Sequence, residues 1–371
     1  MRVLFLVPHL STGGMPQFLL KRIQALQKYT DIEVFVYEWT QISTWYQIQR
    51  KKIIKILPKD NFFSCGYFPE WGEENDKYHS NFIKYLYDKK IDIVHLEEFP
   101  EKWPTWGDQK ITLDANIKRE LYSKNNPWKI IETLHSIDYN ANEKIFHPDG
   151  YAFVINHHLK ETFRNLPGEK KLIEYPVDDS IISKRPKEDI LTQQGRRVKG
   201  EHHIVNVGLW TSGKNQKYAL EIAKILWDKY GWSYIFHFVG NQAHNFRDYW
   251  IPLMDNLPPN IIIHGEKNTE EVSDFYKISD LMLFTSTWEC NPIVLKEAIS
   301  NNIKIMAFDL DHYRGIYTKF IEKLTGNIEE DIEKLIDIIH SPIKYKPTKQ
   351  NKLKEFAKKH LELYENIINR R

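Results

Sequence analysis

Short apolar runs alternate along the chain with segments whose apolar residues recur at helical spacing. Such alternation is typical of βαβ units built around a parallel sheet. In the first half, the predicted strands are residues 3–7, 32–37, 91–96, 129–134 and 150–155. The predicted helices there are residues 17–27, 81–88 and 159–164. In the 17–27 helix, the apolar residues Phe18, Leu19, Ile23 and Leu26 recur at helical spacing.

The same pattern restarts in the second half. Its predicted strands are residues 204–207, 234–239, 261–264, 281–285 and 303–308, and its predicted helices are 218–227, 270–278 and 292–300. The stretch 178–201 between the halves is charged and interrupted by Pro and Gly, which indicates a linker or excursion. We therefore predict an α/β protein with two doubly wound, Rossmann-like parallel-sheet domains, residues 1–178 and 202–348, joined by 179–201. Ligands should bind in a cleft between the domains, at the carboxyl ends of the strands.

The end of the chain, residues 349–371, has a different character. Residues 350–369 read as one basic amphipathic helix, which we expect to pack back on the N-terminal domain. Its predicted apolar side carries Leu353, Phe356, Leu361, Tyr364 and Ile368.

Composition narrows the functional classes. A length of 371 residues suits two domains, and the net charge of +2 provides no general attraction for nucleic acid, so no nucleic-acid partner is expected. Two cysteines, Cys65 and Cys290, are too few for a disulfide framework or a Cys-rich metal site. The first apolar run is too short for a signal peptide, and no run approaches the roughly 20 apolar residues that span a bilayer. We expect a cytoplasmic protein, at most attached to a membrane surface.

The segment 285–298, TSTWECNPIVLKEA, carries the first candidate chemistry. It places Glu289 in a loop after a strand, Asn291 at a plausible helix N-cap, Pro292 in the first helical turn and Glu297 further into the helix. Carboxylates at these positions can accept hydrogen bonds from the vicinal hydroxyls of a sugar and a ribose. Two glutamates considered alone are more often a solvated loop charge and a solvated helix residue.

A second candidate is the segment 205–220, VNVGLWTSGKNQKYAL. A strand runs into Gly208, a loop carries Lys214, and a helix should begin near Gln216. A lysine beside a helix N-terminus is well placed to bind phosphate, because the helix dipole adds to its charge. Lysines are common in surface loops, so this signal is weak by itself.

The first half contributes a glycine loop and a histidine. Gly13 and Gly14 follow the first strand and allow a ligand to approach the backbone closely, although a plain strand-to-helix turn explains them equally well. His135 follows the strand 129–134, where it could hydrogen-bond a reacting sugar or relay a proton. With 15 histidines in the chain, a structural role is the alternative. No histidines show a helical i, i+4 metal arrangement, and we predict no metal.

These four places, in this order, resemble the retaining GT-B glycosyltransferases of the large group 1 family, which comprises glycosyltransferase family 4 and its relatives. The most specific piece is Glu289 to Glu297, with seven residues between them, followed by Ala298. The supporting pieces are VGLWTSGKNQ, FHFVGNQ, IIIHGEKNTEEVSDFYKISDLMLF and LIEYPVDDSI. The resemblance covers nearly the whole chain.

The resemblance implies a metal-independent, retaining hexosyltransferase that uses a nucleotide-sugar as donor substrate and needs no cofactor. It implies that Glu289 contacts the transferred sugar, Glu297 the ribose, and Lys214 the diphosphate. Gly208 and Asn291 belong to the same donor site, while Gly13 and Gly14 lie beside the diphosphate and acceptor. His135 corresponds to the residue that contacts the sugar near the reacting carbon.

The chain departs from the family pattern at two positions. Leu209 replaces a common arginine five residues before Lys214, which shifts the stabilisation of the leaving group to Lys214, Lys217 or Arg247. Pro292 stands in a glycine loop of the family and offers no N–H to a phosphate.

Two further questions stay open from the sequence. The aromatic and basic stretch 45–63 could rest on an anionic membrane that holds a lipid-linked acceptor, or it could be a solvated basic helix. The activity expected is transfer to a glycan, lipid-linked or protein-linked acceptor. The alternatives are a nucleotide-sugar epimerase or hydrolase on the same fold, and a non-catalytic sugar-nucleotide-binding protein.

Overall fold

A computed structural model describes the chain except for residues 12, 41–46, 66–80, 104, 107–108, 111–112, 114, 138, 177–181, 197–199, 314–315, 344–352 and 371. The chain divides into two compact units. The first comprises Met1–Pro176 together with Asn351–Arg371, and the second comprises Val177–Gln350.

The first unit is built on a parallel sheet, to which seven strands of the described residues contribute in the order β3-β2-β1-β4-β7-β8-β9. These strands are β1 Arg2–Val7, β2 Glu33–Glu38, β3 Phe62–Ser64, β4 Ile93–Glu97, β7 Lys129–Leu134, β8 Gly150–Phe153 and β9 Glu169–Leu172. A separate antiparallel pair consists of β5 Thr105–Trp106 and β6 Gln109–Lys110. All five strands predicted in this half are confirmed. The two missed strands of the large sheet, β3 and β9, are short edge strands without a sustained apolar run.

Helices flank this sheet. Their bounds are α1 Gly14–Tyr29, α2 Ile48–Ile56, α3 Phe82–Asp88 and α4 Ala115–Leu121. Helix α1 buries Phe18, Leu19, Ile23 and Leu26, as their helical spacing predicts. Where the sequence predicts a helix over 159–164, the chain makes a π-helical turn, His158–Thr162.

The second unit has a six-stranded parallel sheet among the described residues, in the order β12-β11-β10-β13-β14-β15. The strands are β10 His202–Val207, β11 Tyr234–Val239, β12 Ile261–Gly265, β13 Leu281–Phe284, β14 Lys304–Ala307 and β15 Ile321–Lys323. The helices are α5 Lys187–Gln193, α6 Gln216–Tyr230, α7 Arg247–Trp250, α8 Thr269–Ile278, α9 Ile293–Ser300 and α10 Ile328–His340. The predicted strands and helices of this half are confirmed. Helix α10 was missed, although Asn327 and three acidic residues mark its start.

Both faces of the second sheet are covered by apolar side chains. Successive residues of β10 belong to different core clusters, with Ile204 in one and Val205 in the other. Continuous apolar strands are typical of parallel sheets with helices on both faces. In each sheet the strand order reverses direction next to the first strand, between β1 and β4 in the first unit and between β10 and β13 in the second. Ligands of open α/β sheets bind at the carboxyl ends of such strands.

The stretch between the predicted domains contains structure that the sequence analysis did not predict. Helix α5 lies inside it and buries Ile190 and Leu191 in a core cluster of the second unit. Arg185 ion-pairs with Asp274 of α8 at 2.6 Å. Within the predicted linker or excursion, residues 187–193 are therefore part of the second unit, because two apolar residues in a charged segment suffice to anchor it.

The last helix, α11 Leu353–Asn369, packs within the first unit. The ring of its Phe356 lies 5.4 Å from that of Phe18 on α1, and its Tyr364 hydroxyl is 2.8 Å from His95 Nδ1 on β4. The buried side differs from the predicted one. Leu361 is half-buried and Ile368 is exposed, because the buried stripe follows the 3.6-residue period through Phe356, His360, Leu363, Tyr364 and Ile367.

Candidate functional site

The carboxyl ends of β10 and β13 carry two loops, residues 208–215 and 285–292, that are hydrogen-bonded to each other. The Thr287 N–H donates to the Gly213 carbonyl at 2.9 Å, and the Thr285 hydroxyl donates to the Lys214 carbonyl at 3.1 Å. Below them, the Asn206 side-chain amide donates to the Leu283 carbonyl at 2.8 Å. The two segments that the sequence analysis singled out in this half therefore form one surface at the point where the strand order reverses.

Lys214 and Glu289 meet on this surface. The Lys214 ammonium lies 2.5 Å from Glu289 Oε1, and the two side chains are 30% and 8% exposed, respectively. A 3₁₀ turn, Ser212–Lys214, and a left-handed Asn215 (φ 50°) lead into α6, which begins at Gln216 as predicted. An ammonium group at a helix N-terminus attracts an anion, and the carboxylate beside it can accept hydrogen bonds from hydroxyls.

Glu297 lies on α9 and is only 4% exposed. The Tyr276 hydroxyl of α8 donates to its Oε2 at 3.3 Å. Glu289 is similarly buried, with 6% of the whole residue exposed. The alternative reading of both glutamates as solvated surface charges is therefore wrong. Buried carboxylates are costly unless partners satisfy them, so their presence at this edge calls for a chemical reason.

The start of α9 differs from the prediction. Pro292 is the N-cap, with extended φ −65° and ψ 114°, and the helix begins at Ile293. Asn291 is one residue too early to cap the first turn, and its Oδ1 instead accepts a hydrogen bond from the Tyr317 hydroxyl at 2.6 Å. Asn291 thus stays at the site edge, but as a packing partner of Tyr317 and not as a cap.

Gly208 directly follows β10 and lies against a second glycine, Gly240, which sequence analysis missed. Its N–H donates to the Val239 carbonyl at 2.9 Å. Gly240 has φ +155°, and a Cβ added there would lie 1.8 Å from the Gly208 carbonyl oxygen. The two chain segments can approach this closely only because residue 240 has no side chain. The signal was present in the VGNQ sequence that follows strand β11.

The basic residues proposed to replace the missing arginine point elsewhere. Arg247 Nη1 is 2.9 Å from His244 Nε2, and Lys217 is 64% exposed with Glu221 3.9 Å away. Leu209 contributes its carbonyl, which accepts from the Gln216 side chain at 3.0 Å. Lys214 is therefore the cation that the structure places against Glu289.

His135 lies at the carboxyl end of β7 in the first unit. Its Nε2 is 2.7 Å from Glu97 Oε2, its backbone N–H donates to Glu98 Oε1 at 3.0 Å, and its side chain is 14% exposed. The Phe18 ring meets the imidazole edge-on at 5.2 Å. An ionised carboxylate can only accept hydrogen bonds, so Nε2 carries a proton here and Nδ1 faces away from Glu97.

Gly13 and Gly14 form the turn into α1. Gly13 has φ +131° and occupies the N-cap, while Gly14 is the first helical residue. No described atom lies within 4 Å of the Cβ that an alanine at 13 would add, so the backbone angle, and not crowding, requires glycine there.

Sequence analysis missed Glu97, the last residue of β4, and Glu98, which follows it in the sequence HLEEF. Burial raises the pKa of Glu98 to about 6, against smaller lowering effects of His135 and Tyr139. Acidic residues directly after a buried strand were a readable signal. Within the residues that the structure describes, no group of three or more His, Cys, Asp or Glu is arranged to hold a metal ion.

Two other predictions concern the surface and the cysteines. Of the stretch 45–63, residues 45 and 46 lie outside the described residues, and α2 has Lys51, Ile54 and Lys55 exposed around the buried Ile53. Cys65 and Cys290 are both buried, and neither takes part in a disulfide. Among the described residues, no helix is long and apolar enough to cross a membrane.

Residues 187–360 match the family described as glycosyl transferases group 1. This match bears out the resemblance to the group 1 glycosyltransferases, and the matched segment contains the two loops that carry Lys214 and Glu289.

A relative of known name is the alpha-galactosylglucosyldiacylglycerol synthase of Streptococcus pneumoniae (strain ATCC BAA-255 / R6). It is 30% identical over 117 residues, which make up 31% of this chain and 31% of the relative. The chain thus aligns with about a third of the length of that relative.

Two solved structures have a similar fold. The Anabaena protein HepE, in complex with UDP and glucose, has a TM-score of 0.68 at 13% identity over 99% of this chain and 98% of its own. The UDP-GlcNAc 2-epimerase of Methanocaldococcus jannaschii has a TM-score of 0.59 at 13% identity over 99% of this chain and 100% of its own. The predicted GT-B class with two Rossmann-like units is confirmed. Since an epimerase also has this fold, the fold does not choose between transfer and epimerisation.

Proposed function

We propose that this chain is a glycosyltransferase that moves a sugar from a nucleotide-sugar donor to an acceptor hydroxyl. The observation that carries the proposal is the Lys214–Glu289 pair, held beside the N-terminus of α6 by the hydrogen bonds between the two loops. The match to the group 1 family favours transfer over epimerisation.

The proposed chemistry separates the sugar from a nucleoside diphosphate. Breaking that bond leaves negative charge on the diphosphate, which Lys214 and the N-terminal N–H groups of α6 would stabilise. Glu289 would then exchange its bond to the ammonium for hydroxyls of the transferred sugar, while Glu297 would accept from the ribose. By the family resemblance, Gly208 and Asn291 would contribute to the donor site, and Gly13 and Gly14 would lie beside the diphosphate and acceptor. His135 would contact the sugar near the reacting carbon.

We further propose that the reaction retains the anomeric configuration and needs no metal. Retention rests on the resemblance of the Glu289–Glu297 motif, for which front-face attack with the donor phosphate as base is the usual description. Lys214 supplies the charge that a metal ion would otherwise provide. NMR of the product anomer tests the first point, and turnover after exhaustive EDTA treatment tests the second.

For the acceptor we favour a lipid-linked hydroxyl over a glycan or protein. The aligned relative is named for a glycosylated diacylglycerol, and α2 exposes Lys51 and Lys55 beside Ile54. Co-sedimentation with anionic vesicles should be lost in the Lys51→Glu/Lys55→Glu variant. Equal sedimentation of both proteins, or no binding by the wild type, would contradict the membrane surface.

The central experiment incubates the protein with UDP-, GDP- and ADP-sugars and follows donor hydrolysis and transfer. Glu289→Gln should lower kcat by at least about 100-fold, because one set of oriented hydrogen bonds to the reacting sugar is lost. The matched control is Glu221→Gln, at a glutamate of α6 whose side chain is 41% exposed, and it should change kcat less than twofold. An epimerised nucleotide-sugar would establish the second candidate, and binding without turnover the third.

A further inference from the structure

Two consecutive carboxylates hold His135 from different sides. Glu97 Oε2 lies 2.7 Å from the imidazole Nε2, and Glu98 Oε1 accepts from the His135 backbone N–H at 3.0 Å. The Glu98 N–H in turn donates to the Thr133 carbonyl at 2.8 Å, two residues before His135. Both the ring and the backbone N–H of His135 are thus hydrogen-bonded to glutamates at the end of β4.

This grip depends on an unusual backbone angle. Successive side chains of an extended strand point to opposite faces, so residues 97 and 98 could not both reach His135 from a continued strand. Glu98 has φ +70°, in the left-handed region that glutamate rarely occupies. Such angles cost of order 1 kcal/mol or more, and they cluster where a functional geometry requires them.

The negative charge of Glu97 is balanced by the buried Arg22 of α1. Glu97 and Arg22 are both 0% exposed, and Arg22 Nη1 hydrogen-bonds to Glu97 Oε1. Arg22 Nη2 also donates to the Thr133 hydroxyl at 2.9 Å, and the Phe18 ring centroid is 4.7 Å from the guanidinium. With Arg22 facing one oxygen, the other oxygen is left to accept from the imidazole Nε2–H.

Glu98 also hydrogen-bonds to Tyr139, in the loop after His135. Its Oε2 accepts from the Tyr139 hydroxyl at 3.1 Å, and the same hydroxyl accepts from the Phe99 N–H at 3.3 Å. The groups that face the Glu98 carboxyl are therefore His135 and Tyr139 from the loop after β7 and Glu97 from its own strand. An ionised Glu98 accepts from both donors, whereas a protonated one gives up part of this capacity.

We propose that Glu97 and Glu98 are positioning residues that hold the neutral imidazole of His135 so that its bare Nδ1 accepts a hydrogen bond from a hydroxyl of the transferred sugar. The inference rests on the proposed function, since it takes His135 as a sugar contact. Beyond that function, the inference specifies that Nδ1 is the ring nitrogen that contacts the sugar and that Glu97 and Glu98 orient the ring.

The first test needs no variant of the two glutamates. Long-range ¹H–¹⁵N spectra of the full-length wild type at pH 8, with His135 assigned by its absence in His135→Gln, should show a protonated Nε2 and an unprotonated Nδ1. The opposite tautomer would overturn the proposal whatever the activity is. If the tautomer is as expected but His135→Gln keeps full activity, then His135 does not contact the sugar and that part of the proposed function is wrong. The orientation of His135 by Glu97 and Glu98 would still hold.

The second test is kinetic. Glu98→Gln keeps the side-chain length but cannot ionise, and we expect kcat to fall about 10-fold with donor KM changed less than threefold. In the wild type, kcat should fall as the pH drops through about 6, where Glu98 takes up a proton, and this decline should be smaller in the variant. Wild-type kcat together with an unchanged acid decline in Glu98→Gln would overturn the positioning role.

The matched control is Glu132→Gln. Glu132 is another buried carboxylate on β7, its pKa is raised to about 7 by burial, and it pairs with Lys144 at 2.9 Å and not with His135. The acid decline of kcat should survive in this variant. If it disappears there and survives in Glu98→Gln, then burial of a carboxylate in this unit explains the profile and the proposal is wrong.

Discussion

At the scale of single residues, Lys214 is the cation on which the proposed donor chemistry depends. Its ammonium faces Glu289 at 2.5 Å, yet 30% of its side chain is exposed. Lys214→Met keeps the aliphatic stem and removes the charge. We expect kcat/KM for the donor to fall by about 100-fold or more, while the free energy of unfolding changes by only about 1 kcal/mol because water reaches the pair.

Steady-state kinetics and thermal melting of the same preparations check this expectation. The matched control is Lys217→Met, three residues on and 64% exposed, which should alter kcat/KM less than twofold. A large effect of Lys217→Met with a small effect of Lys214→Met would mean that Lys217 has taken over the role of the arginine that Leu209 replaces.

A second residue-scale prediction concerns the two glycines behind the site. Gly240→Ala would place its Cβ 1.8 Å from the Gly208 carbonyl oxygen, at φ +155°. We expect the free energy of unfolding to drop by about 3 kcal/mol or more, because backbone must shift at both strand ends. Gly208→Ala is the control, since its Cβ would make ordinary contacts from 3.8 Å. Urea denaturation of both variants measures this difference. Equal stability of Gly240→Ala and Gly208→Ala would contradict the close approach of residue 240 to the Gly208 carbonyl.

At the scale of elements, three neighbouring strands of the second unit carry a histidine ladder, defined here as His203, His237 and His264. The ring nitrogens lie 3.0 Å apart in both links, His203 Nδ1 to His237 Nε2 and His237 Nδ1 to His264 Nε2. A neutral imidazole has one N–H and one acceptor nitrogen, whereas a protonated ring has only donors, so each link needs at least one neutral ring to accept. When all three rings are neutral, their tautomers must run in one direction.

The ladder makes the second unit sensitive to acid. Burial lowers the pKa of His264 from 6.5 to about 4 and that of His237 well below its ordinary value. Unfolded histidines take up protons near pH 6.5, whereas the folded ones do so only at lower pH. The free energy of unfolding should therefore decrease as the pH falls from about 6.5 to 4, by at most about 1.4 kcal/mol per pH unit for each such histidine.

Calorimetry of the full chain at pH 7, 6 and 5 measures this dependence. His264→Gln removes one titrating group and should make the transition of the second unit less sensitive to pH. His157→Gln, at an exposed histidine of the first unit, should leave that sensitivity as it is. If His264→Gln does not reduce it, then other groups carry the acid sensitivity.

At the scale of the whole molecule, the end of the chain completes the first unit. Helix α11 contributes the fully buried Phe356, Leu363 and Tyr364, and its Glu362 pairs with Lys171 of β9. Removing residues 353–371 would expose the α1 surface around Phe18 and leave His95 without its Tyr364 partner. Each large apolar side chain that is no longer buried costs about 1.5–3 kcal/mol.

Hydrogen exchange followed by mass spectrometry tests this dependence. Peptides from α1 and β4 should lose protection in the truncated chain, while those from β10 and β13 should keep it. Ile368→Ala, at a position of the same helix that is 38% exposed, should alter neither set. Unchanged protection of α1 and β4 after truncation would show that the first unit does not need the helix.

Much of this architecture could be read from the sequence, and the failures have a common origin. Apolar periodicity located β1, β10 and β13 because each is a buried run bounded by turn residues. It missed β9, whose four residues, EKKL, lie half-buried at a sheet edge, and it treated α5 as part of a linker because only Ile190 and Leu191 anchor it. Asn291 was misplaced as a cap because one residue of difference in the helix start is not encoded in residue type.

The sequence by itself determined the order of strands and helices, the family motif of Glu289 and Glu297, and the positions of candidate residues at strand ends. These follow from local periodicity and spacing. Only the tertiary structure decided that Lys214 contacts Glu289, 75 positions away, and that Glu97 contacts His135, 38 positions away. Such contacts depend on which strands are neighbours and on single backbone angles such as φ +70° at Glu98, and neither is written in a local pattern.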